Sequence, residues 1–205
     1  MPITEFALLR LKQEPSAKTK STLRDVVKRQ SAWSKYPVHF LRQIEDSGLV
    51  YLLGGWASVA EHFGDWITSE PNQRLLAELE DAIDIEWLFH LEIDASIPLG
   101  DTIPLNAPVL GISRYFVQAS KKDEFENVFT VGAPYLGEYT APYGYAGGWR
   151  IDKEGEDEEF VLFSGWNKVE DHVAFAESDA FKEFGKIKDA IKGAVIKHVH
   201  LEKWE

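Results

Sequence analysis

The sequence has 205 residues, 44% hydrophobic and 13% aromatic, a length that fits one large domain or two of about 100 residues. Its 22 Lys and Arg residues are outnumbered by 34 Asp and Glu, and the formal net charge of −12 argues against nucleic acid or an anionic membrane as partner. The absence of cysteine excludes disulfides, thiolate catalysis and cysteine-based metal sites. With neither a signal-like amino terminus nor a membrane-length apolar stretch, the sequence indicates a soluble, cytoplasmic protein.

The first half predicts the order strand, helix, strand, strand, helix, strand. Thr22 with Asp25 signals a helix start, and Ser58 with Glu61 gives a second one of the capping-box kind. The predicted elements are a strand at residues 4–12, a helix from Thr22 to Tyr36, a hairpin of residues 38–44 and 49–53, a helix from Ser58 that restarts at Pro71, and a strand at residues 85–93.

An internal repeat organises the chain. The motif Gly-Trp-x-x-Val-x-x-His occupies residues 55–62 and recurs at residues 165–172, and the same shift carries His-Leu-Glu at residues 90–92 onto residues 200–202. A duplication of this kind predicts two similar units in one chain.

The second half repeats the order of elements after a linker. Residues 95–111 contain three prolines and little charge, which is typical of an extended connector. A Gly- and Tyr-rich segment at residues 134–149 breaks the repeat and is predicted to be a loop. The other predicted elements are a strand at residues 112–119, a short helix at 121–129, a hairpin of 148–152 and 159–163, a helix capped by Asn167 and Glu170, and a strand at 195–203.

This pattern predicts an α+β fold of two tandem ferredoxin-like βαββαβ units, residues 1–94 and 112–205, joined by residues 95–111. Each unit would be an open antiparallel sheet with both helices on one face. The other apolar face would need a cover, and two such faces in one chain can cover each other.

The Gly-Trp-x-x-Val-x-x-His segment, entering a helix from a strand, resembles the dimeric α+β barrel superfamily, especially its antibiotic-biosynthesis-monooxygenase-like and fungal tandem-barrel members. The resemblance covers residues 3–94 and 112–204. It implies an intrachain barrel of two sheets with a small-molecule pocket inside. Members include cofactor-free quinol oxygenases, polyketide cyclases and decarboxylases, and haem-degrading enzymes. The oxygenase and haem branches place an Asn in the first strand, and neither residues 4–12 nor 113–121 contain one.

Two helix histidines and two tryptophans are candidate ligand contacts. His62 and His172 fall in the first turn of equivalent helices, where the helix dipole disfavours protonation and would keep an imidazole able to act as a base. The alternative is that each packs under its sheet. Trp56 and Trp166 either fill the strand-to-helix junction or contact a substrate.

The last strand of each half carries the candidate catalytic residues, which alternate onto one face: His90, Glu92, His198, His200 and Glu202. If that face lines the barrel, they suit general acid–base chemistry on a phenol or enol, with His90 or His200 as acid or base, or, as the less favoured alternative, a nitrogen/oxygen metal site. If it faces solvent, they are ordinary polar positions. No metal site is assigned.

The Gly- and Tyr-rich segment supplies a candidate lid. Its aromatic residues would cover an apolar pocket and orient a phenol, or would simply pack on the second sheet. They are Tyr135, Tyr139, Tyr143, Tyr145 and Trp149.

The functional hypothesis is a barrel that binds an aromatic or polyketide-like small molecule and acts without a cofactor, as a monooxygenase, cyclase or decarboxylase. The alternative is a non-catalytic stress-related, ligand-binding or structural protein of the same fold. The expected partners are a small-molecule ligand and, as a further option, a second copy in a homodimer of pseudo-dimers, with neither nucleic acid nor membrane.

Overall fold

A computed structural model describes residues 1–96 and 102–205. These residues form two compact units, one of residues 1–96 with 200–205 and the other of residues 102–199. The predicted linker, residues 95–111, includes residues 97–101, which lie outside the described residues. None of the helices in the described part of the chain is long and apolar enough to cross a membrane.

The first unit has the element order β-α-β-β-α-β and a purely antiparallel sheet with strand order β4-β1-β3-β2. The predicted strands and hairpin are confirmed, with small shifts at their ends. The elements are β1 (Ile3–Leu11), α1 (Ala17–Ser34), β2 (Val38–Gln43), β3 (Leu49–Trp56), a π-helical turn (Glu61–Trp66), α2 (Glu70–Leu79) and β4 (Ile83–Leu91).

Helix α1 begins earlier than the sequence predicted, at Ala17 rather than at Thr22. Ser16 is the true N-cap, because its Oγ accepts a hydrogen bond of 3.1 Å from the backbone N–H of Thr19. The Thr22 hydroxyl instead donates to the carbonyl of Lys18 within the helix, at 3.3 Å. The helix ends where Lys35 adopts the left-handed conformation with φ 69°.

The capping box at Ser58 and Glu61 is confirmed. The backbone N–H of Glu61 donates to Ser58 Oγ at 3.1 Å, and the Glu61 carboxylate accepts from the N–H of Ala57 at 2.8 Å. The turn that follows is π-helical, so the N–H of Ile67 donates to the carbonyl of His62 at 2.9 Å. Such turns are rare and concentrate at functional sites. Here the wider turn lets His62 and Trp66 both point into the unit, where both are buried.

The second unit repeats the strand–helix order, with all observed pairings antiparallel and strand order β8-β5-β7-β6. Its elements are β5 (Val109–Val117), a 3-10 turn (Ala119–Lys121), α3 (Lys122–Thr140), β6 (Tyr145–Trp149), β7 (Glu158–Trp166), α4 (Val169–Ala176), α5 (Asp179–Phe184), a second 3-10 segment (Gly185–Ala190) and β8 (Gly193–Glu202). The end of β8, from residue 200 onward, groups with the first unit.

The prediction of a short helix followed by a tyrosine-rich loop is wrong. Helix α3 is continuous over 19 residues and follows the first strand of its unit, as the 18-residue α1 does in the first unit. Pro134 lies inside it, although proline disfavours a helix interior. The helix forms because packing outweighs this local penalty: Phe125 and Leu136 are fully buried, and Gly132 lets the helix approach so closely that a Cβ there would lie 2.8 Å from Phe184 Cα.

The second predicted capping box is also wrong. Helix α4 follows Lys168 and has no side-chain cap. Asn167 is engaged elsewhere, since its Oδ1 accepts a hydrogen bond of 3.0 Å from the Tyr143 hydroxyl. The Asn167 side chain therefore links the segment before β6 to the junction between β7 and α4, and it does not cap the helix.

Candidate functional site

Five buried polar and aromatic residues meet beneath the helices of the first unit, and we call them the carboxylate cluster. Glu5 lies on β1, opposite Gly54 of β3 and His90 of β4 in the two ladders. Trp56 ends β3, His62 lies in the π-helical turn and Gln30 comes from α1. The cluster, at most 3% exposed at any residue, consists of Glu5, Gln30, Trp56, His62 and His90.

Hydrogen bonds join Glu5 to Trp56 and Gln30, and His62 to His90, and a longer contact of 3.6 Å lies between Glu5 and His62. Glu5 Oε2 accepts from Trp56 Nε1 at 2.8 Å and from Gln30 Nε2 at 2.5 Å. Glu5 Oε1 lies 3.6 Å from His62 Nε2, and His62 Nδ1 lies 2.7 Å from His90 Nε2. The two imidazoles are thus close enough to share a proton, whereas transfer between Glu5 and His62 requires their 3.6 Å separation to shorten to hydrogen-bond distance.

Gly54 makes room for the carboxylate. A Cβ at this position would lie 2.6 Å from Gln30 Nε2 and 2.8 Å from Glu5 Oε2. A side chain at position 54 would therefore displace the ends of Gln30 and Glu5 from their hydrogen bond, and glycine leaves room for it. The Trp56 ring stacks on His62, with 4.3 Å between centroids and 9° between planes, which holds the imidazole in place.

Burial raises the pKa of Glu5 from 4.5 to about 7, against the opposing effects of the Trp56 hydrogen bond, the charge of His90 and the Gln30 hydrogen bond. Desolvation penalises the charged form more than these partners stabilise it. A carboxyl group with this pKa is both protonated and ionised to a substantial extent at neutral pH. It can therefore serve as an acid or a base, which is uncommon for a structural glutamate.

A cavity of about 170 Å³ adjoins the carboxylate cluster, between the sheet and the helices of the first unit. Its polar lining residues are Glu5, Gln30, His62 and Asn72, and the rest of its wall is mostly aliphatic. A mostly apolar cavity with a few convergent polar groups is the usual form of a small-molecule site. Its size is close to that of an engineered cavity of about 150 Å³ that holds benzene, so it fits a compound with a single ring.

The second unit has a related set of residues, which we call the serine cluster: Ser164, Trp166, His172 and His198. His172 Nδ1 lies 2.9 Å from His198 Nε2, and the Trp166 ring stacks on His172 at 4.5 Å. Trp166 Nε1 donates to Ser164 Oγ at 2.8 Å. The stack and the histidine pair are thus common to both units, whereas the group that accepts from the tryptophan differs.

The two clusters differ in which of two paired strands carries the polar side chain. Glu5 faces Gly54 in the first unit, and Gly111 faces Ser164 in the second. The side chain has moved from one strand to its neighbour, and a Cβ on Gly111 would lie 2.9 Å from Ser164 Oγ. The serine cluster therefore lacks a carboxylate, and the pKa of His172 is lowered from 6.5 to about 4, by burial first and then by the charge of His198.

The strand histidines correspond differently from what the repeat predicted. His90 pairs with Glu5 and His198 pairs with Gly111, so His198 rather than His200 is the counterpart of His90. The two members of each histidine pair are 28 residues apart in the first unit and 26 in the second. The chain between helix and last strand is shorter in the second unit, and a constant shift along the sequence therefore fails there.

The remaining predicted catalytic residues lie outside both clusters. Glu92 and His200 are exposed. Glu202 is partly buried, and its Oε2 lies 3.6 Å from Arg42 Nη1, whose guanidinium also pairs with Glu14. His90 and His198 are buried and contact His62 and His172, the helical histidines of their own units. Whether their strand face lines a barrel stays a prediction.

The predicted lid residues are spread over helix, turn and strand. Tyr135 and Tyr139 lie on α3 and are 39% and 44% exposed, with the Tyr139 ring 5.0 Å from that of Phe175. Tyr143 bonds to Asn167, and Tyr145 is half-buried in β6. Trp149 belongs to the core, where its Nε1 donates to Glu126 at 2.8 Å. A role for them in binding substrate stays a prediction.

Sequence reasoning missed Glu5 and Gln30. The available signal was a single acidic residue on the face of β1 that also carries Ala7 and Leu9, both of which are buried. A lone glutamate on the buried face of a strand needs partners, and that requirement marks it as a candidate site.

We expect His198→Ala and His200→Ala to differ in stability. Removing the buried His198 leaves His172 Nδ1 without its bond, which costs about 1–3 kcal/mol, whereas removing the exposed His200 changes the free energy of unfolding by less than about 0.5 kcal/mol. Urea denaturation of both variants measures this difference. Equal stability of the two would contradict the assignment of His198 as the paired histidine.

Comparisons with known proteins establish the fold. No family model and no curated protein matches the chain. Among solved structures, a candidate monooxygenase from Fusobacterium nucleatum subsp. nucleatum matches over 98% of this chain and 92% of its own, with 12% identity and a TM-score of 0.66. An anthrone oxidase-like protein matches over 98% and 91%, with 15% identity and a TM-score of 0.62.

A third match is a dye-decolorizing peroxidase from Bacteroides thetaiotaomicron, over 97% of this chain and 92% of its own, with 9% identity and a TM-score of 0.58. The class of protein defined by these likenesses is a mixed α+β protein with the fold of the dimeric α+β barrels. At such low identities the fold alone is shared, and proteins of this fold carry different names, so the reaction has to be argued from the site.

Proposed function

We propose that the cavity of the first unit binds a small aromatic or enolic compound through its hydroxyl group, and that Glu5 exchanges a proton with that hydroxyl. The observation that carries the proposal is a buried carboxyl group with a pKa of about 7 on the wall of a mostly apolar cavity. An ordinary structural carboxylate would have its charge satisfied and its pKa low.

In the proposed step, the Glu5 carboxylate takes the hydroxyl proton of the bound compound. The ligand O–H bond breaks, a carboxyl O–H bond forms, and the electron pair stays on the ligand as a phenolate or enolate. The proton then passes from Glu5 Oε1 to His62 Nε2 as their separation of 3.6 Å shortens to a hydrogen bond, and the Nδ1 proton of His62 passes to His90 Nε2 at 2.7 Å. Trp56 and Gln30 hold Glu5 Oε2, so the proton is taken by Oε1, the oxygen nearer to His62.

This chemistry suits a monooxygenase-like, cyclase or decarboxylase reaction that starts from an electron-rich phenolate or enolate. It accords with a barrel built of two tandem ferredoxin-like units of the antibiotic-biosynthesis-monooxygenase-like kind. The names of the monooxygenase and oxidase-like neighbours support this class. Of the two strand histidines first considered as acid or base, His90 fits the proposal because it contacts His62, and exposed His200 does not.

A second candidate is a protein that binds the ligand without converting it. The observation in its favour is that both units keep the stacked Trp–His pair, although only one has the carboxylate. The stack is therefore part of the packing of both units. In this reading Glu5 contributes only a hydrogen-bond acceptor for the ligand hydroxyl.

Fluorine NMR with 4-fluorophenol and 4-fluorotoluene tests the proposal, because these probes have nearly the same shape and differ in the hydroxyl group. We expect the phenol to bind the first unit about tenfold more tightly at pH 8 than at pH 6, since a hydrogen bond to a charged acceptor is stronger. The toluene should show no pH dependence. Glu5→Gln should remove the dependence for the phenol.

Cavity-filling variants show whether the NMR signal of bound 4-fluorophenol arises from the cavity of the first unit. Ala7 is buried and lines the first cavity, so Ala7→Leu should block binding there, whereas Ser113→Leu at the equivalent strand position of the second unit should not. If the bound phenol keeps the chemical shift of the neutral form at all pH values, the proton is not transferred and the non-catalytic reading holds. Equal affinities for phenol and toluene would overturn both readings of Glu5.

A further inference from the structure

The second unit contains its own cavity, of about 230 Å³, between the sheet and the helices of that unit. It occupies the place that the first cavity has in its own unit: Ser113 of β5 lies opposite Leu162, as Ala7 of β1 lies opposite Leu52. Aromatic and aliphatic side chains form most of its wall, among them Leu136, Phe175, Phe184 and Ile187. Such a wall suits an aromatic ligand.

The polar groups on this wall are hydroxyls and an imidazole. Ser113, Tyr115, Ser164 and His172 line the cavity, and Ser113 forms a hydrogen bond with the Tyr115 hydroxyl. Burial raises the pKa of Tyr115 to about 12, so the phenol keeps its proton and can donate it to a ligand. Ser164 accepts from Trp166 and keeps its own hydroxyl proton as a donor.

Charged groups contribute little inside this cavity. Glutamate and aspartate are absent from its lining within the described residues, because Gly111 stands where the first unit has Glu5. His172, whose pKa is lowered by burial and by the charge of His198, is neutral above about pH 5. The cation on the lining is Lys188, an exposed residue whose Nζ lies 4.7 Å from the Phe181 ring centre.

We propose that this cavity is a second ligand site, chemically distinct from the first, which takes a neutral aromatic compound carrying a carbonyl or ether oxygen. The hydroxyl group of Tyr115 donates to that oxygen, and the aromatic wall holds the ring. The site stands apart from the function proposed for the first unit, since it uses neither Glu5 nor any other carboxylate. Ile196, which is 47% exposed, marks where the cavity reaches the surface.

The two cavities thus favour ligands with opposite hydrogen-bonding roles. The carboxylate of Glu5 favours a ligand that donates, and the hydroxyls of the second cavity favour a ligand that accepts. Binding in the first cavity follows the protonation of Glu5 near pH 7, with His62 and His90 facing it. Binding in the second is expected to be independent of pH between about 5.5 and 9, because the lining groups Tyr115 and His172 keep one protonation state in that range. His198, which pairs with His172, is not part of the lining.

The test uses 4-fluoroacetophenone and its isostere without a carbonyl, 4-fluorocumene, with the full chain and fluorine NMR. We expect the ketone to bind with one equivalent assigned to the second unit, about fivefold more tightly than the cumene, as for one neutral hydrogen bond. The affinity should be the same at pH 5.5, 7 and 9. Tyr115→Phe should bring the affinity for the ketone down to that for the cumene.

Matched cavity-filling variants locate the site. Ser113→Leu should abolish binding of the ketone while Ala7→Leu leaves it unchanged, the reverse of the pattern expected for 4-fluorophenol in the first unit. Ketone binding that survives both Ser113→Leu and Tyr115→Phe would overturn the proposal, as would equal affinity for ketone and cumene in the unmodified chain. Failure of the Glu5 titration would leave this result unaffected, so the two proposals fail separately.

Discussion

Replacement of Glu5 by glutamine is expected to remove a fall in stability that the unmodified chain shows between about pH 4.5 and pH 7. The pKa of Glu5 is raised from 4.5 to about 7 by burial. Between these two values the folded state binds more protons at this site than the unfolded state does. Stability therefore decreases as pH rises through this window and is constant outside it.

The expected size of this effect is about 3 kcal/mol, since each unit of pKa difference corresponds to about 1.4 kcal/mol. The contribution is most favourable below about pH 4.5, where the carboxyl group is neutral in both states, and is lost above about pH 7. The buried position of Glu5, 3% exposed, keeps solvent from screening the penalty. Glutamine has the same shape without the charge, and its oxygen can accept from Trp56 in the same way.

Urea denaturation at a series of pH values from 4 to 8 measures this contribution as the difference between the two proteins. Other titrating groups are common to both and cancel in the difference. Glu86→Gln is the matched control, because the Glu86 side chain is 38% exposed and pairs with Arg10 at the surface. Parallel stability curves for Glu5→Gln and the unmodified chain would show that Glu5 titrates normally, and the proposed acid–base role would then lose its basis.

Most strands of both units follow from the sequence because alternation is a local property, although β6 spans Tyr145–Trp149 rather than the predicted residues 148–152. Residues 38–44 and 49–53 were predicted as a hairpin from their alternation and the intervening Asp-Ser-Gly, and β2 and β3 confirm it. The helix boundaries were predicted less accurately from the sequence than the strands were. Ser16 and Thr22 are both plausible caps locally, and only the contacts of the folded chain select Ser16.

Helix α3 and the carboxylate cluster show what local patterns do not contain. Pro134 and its neighbouring glycines indicate a loop, and only packing against α5 explains the helix that forms. Glu5, Trp56 and His90 are far apart in the sequence, and their meeting depends on strand register. The motif identified His62 and His172 as a related pair, but the shorter connection in the second unit hid that His198, and not His200, completes it.

The first unit pairs Glu5 with Gly54, and the second pairs Gly111 with Ser164. We therefore expect the effects of substitutions at positions 5 and 54 on the free energy of unfolding to be strongly coupled. Glu5→Gly alone leaves Trp56 Nε1 and Gln30 Nε2 buried without their acceptor, at about 1–3 kcal/mol for each group. Gly54→Ser alone places a Cβ 2.6 Å from Gln30 Nε2 and 2.8 Å from Glu5 Oε2, and such overpacking costs about 1–3 kcal/mol.

The double variant, Glu5→Gly with Gly54→Ser, should be more stable than the sum of the single effects by about 2 kcal/mol. The serine hydroxyl then accepts from Trp56 as Ser164 accepts from Trp166, and the carboxylate that opposed the new side chain is gone. Measurement at pH 5 keeps Glu5 mostly neutral, so the coupling reports packing and hydrogen bonding rather than desolvation of a charge.

Gly55→Ser is the control for the double variant. It shows whether the coupling is specific to position 54 or arises with any crowded glycine once Glu5 is removed. A Cβ at Gly55 would lie 2.4 Å from Tyr36 Cβ and 2.8 Å from Ala95 Cβ, and neither contact involves Glu5. Its cost should therefore add to that of Glu5→Gly without coupling. If the Gly54 and Gly55 variants behave alike, the serine at position 164 is not a substitute for the carboxylate. The two clusters would then be unrelated solutions to packing the same tryptophan.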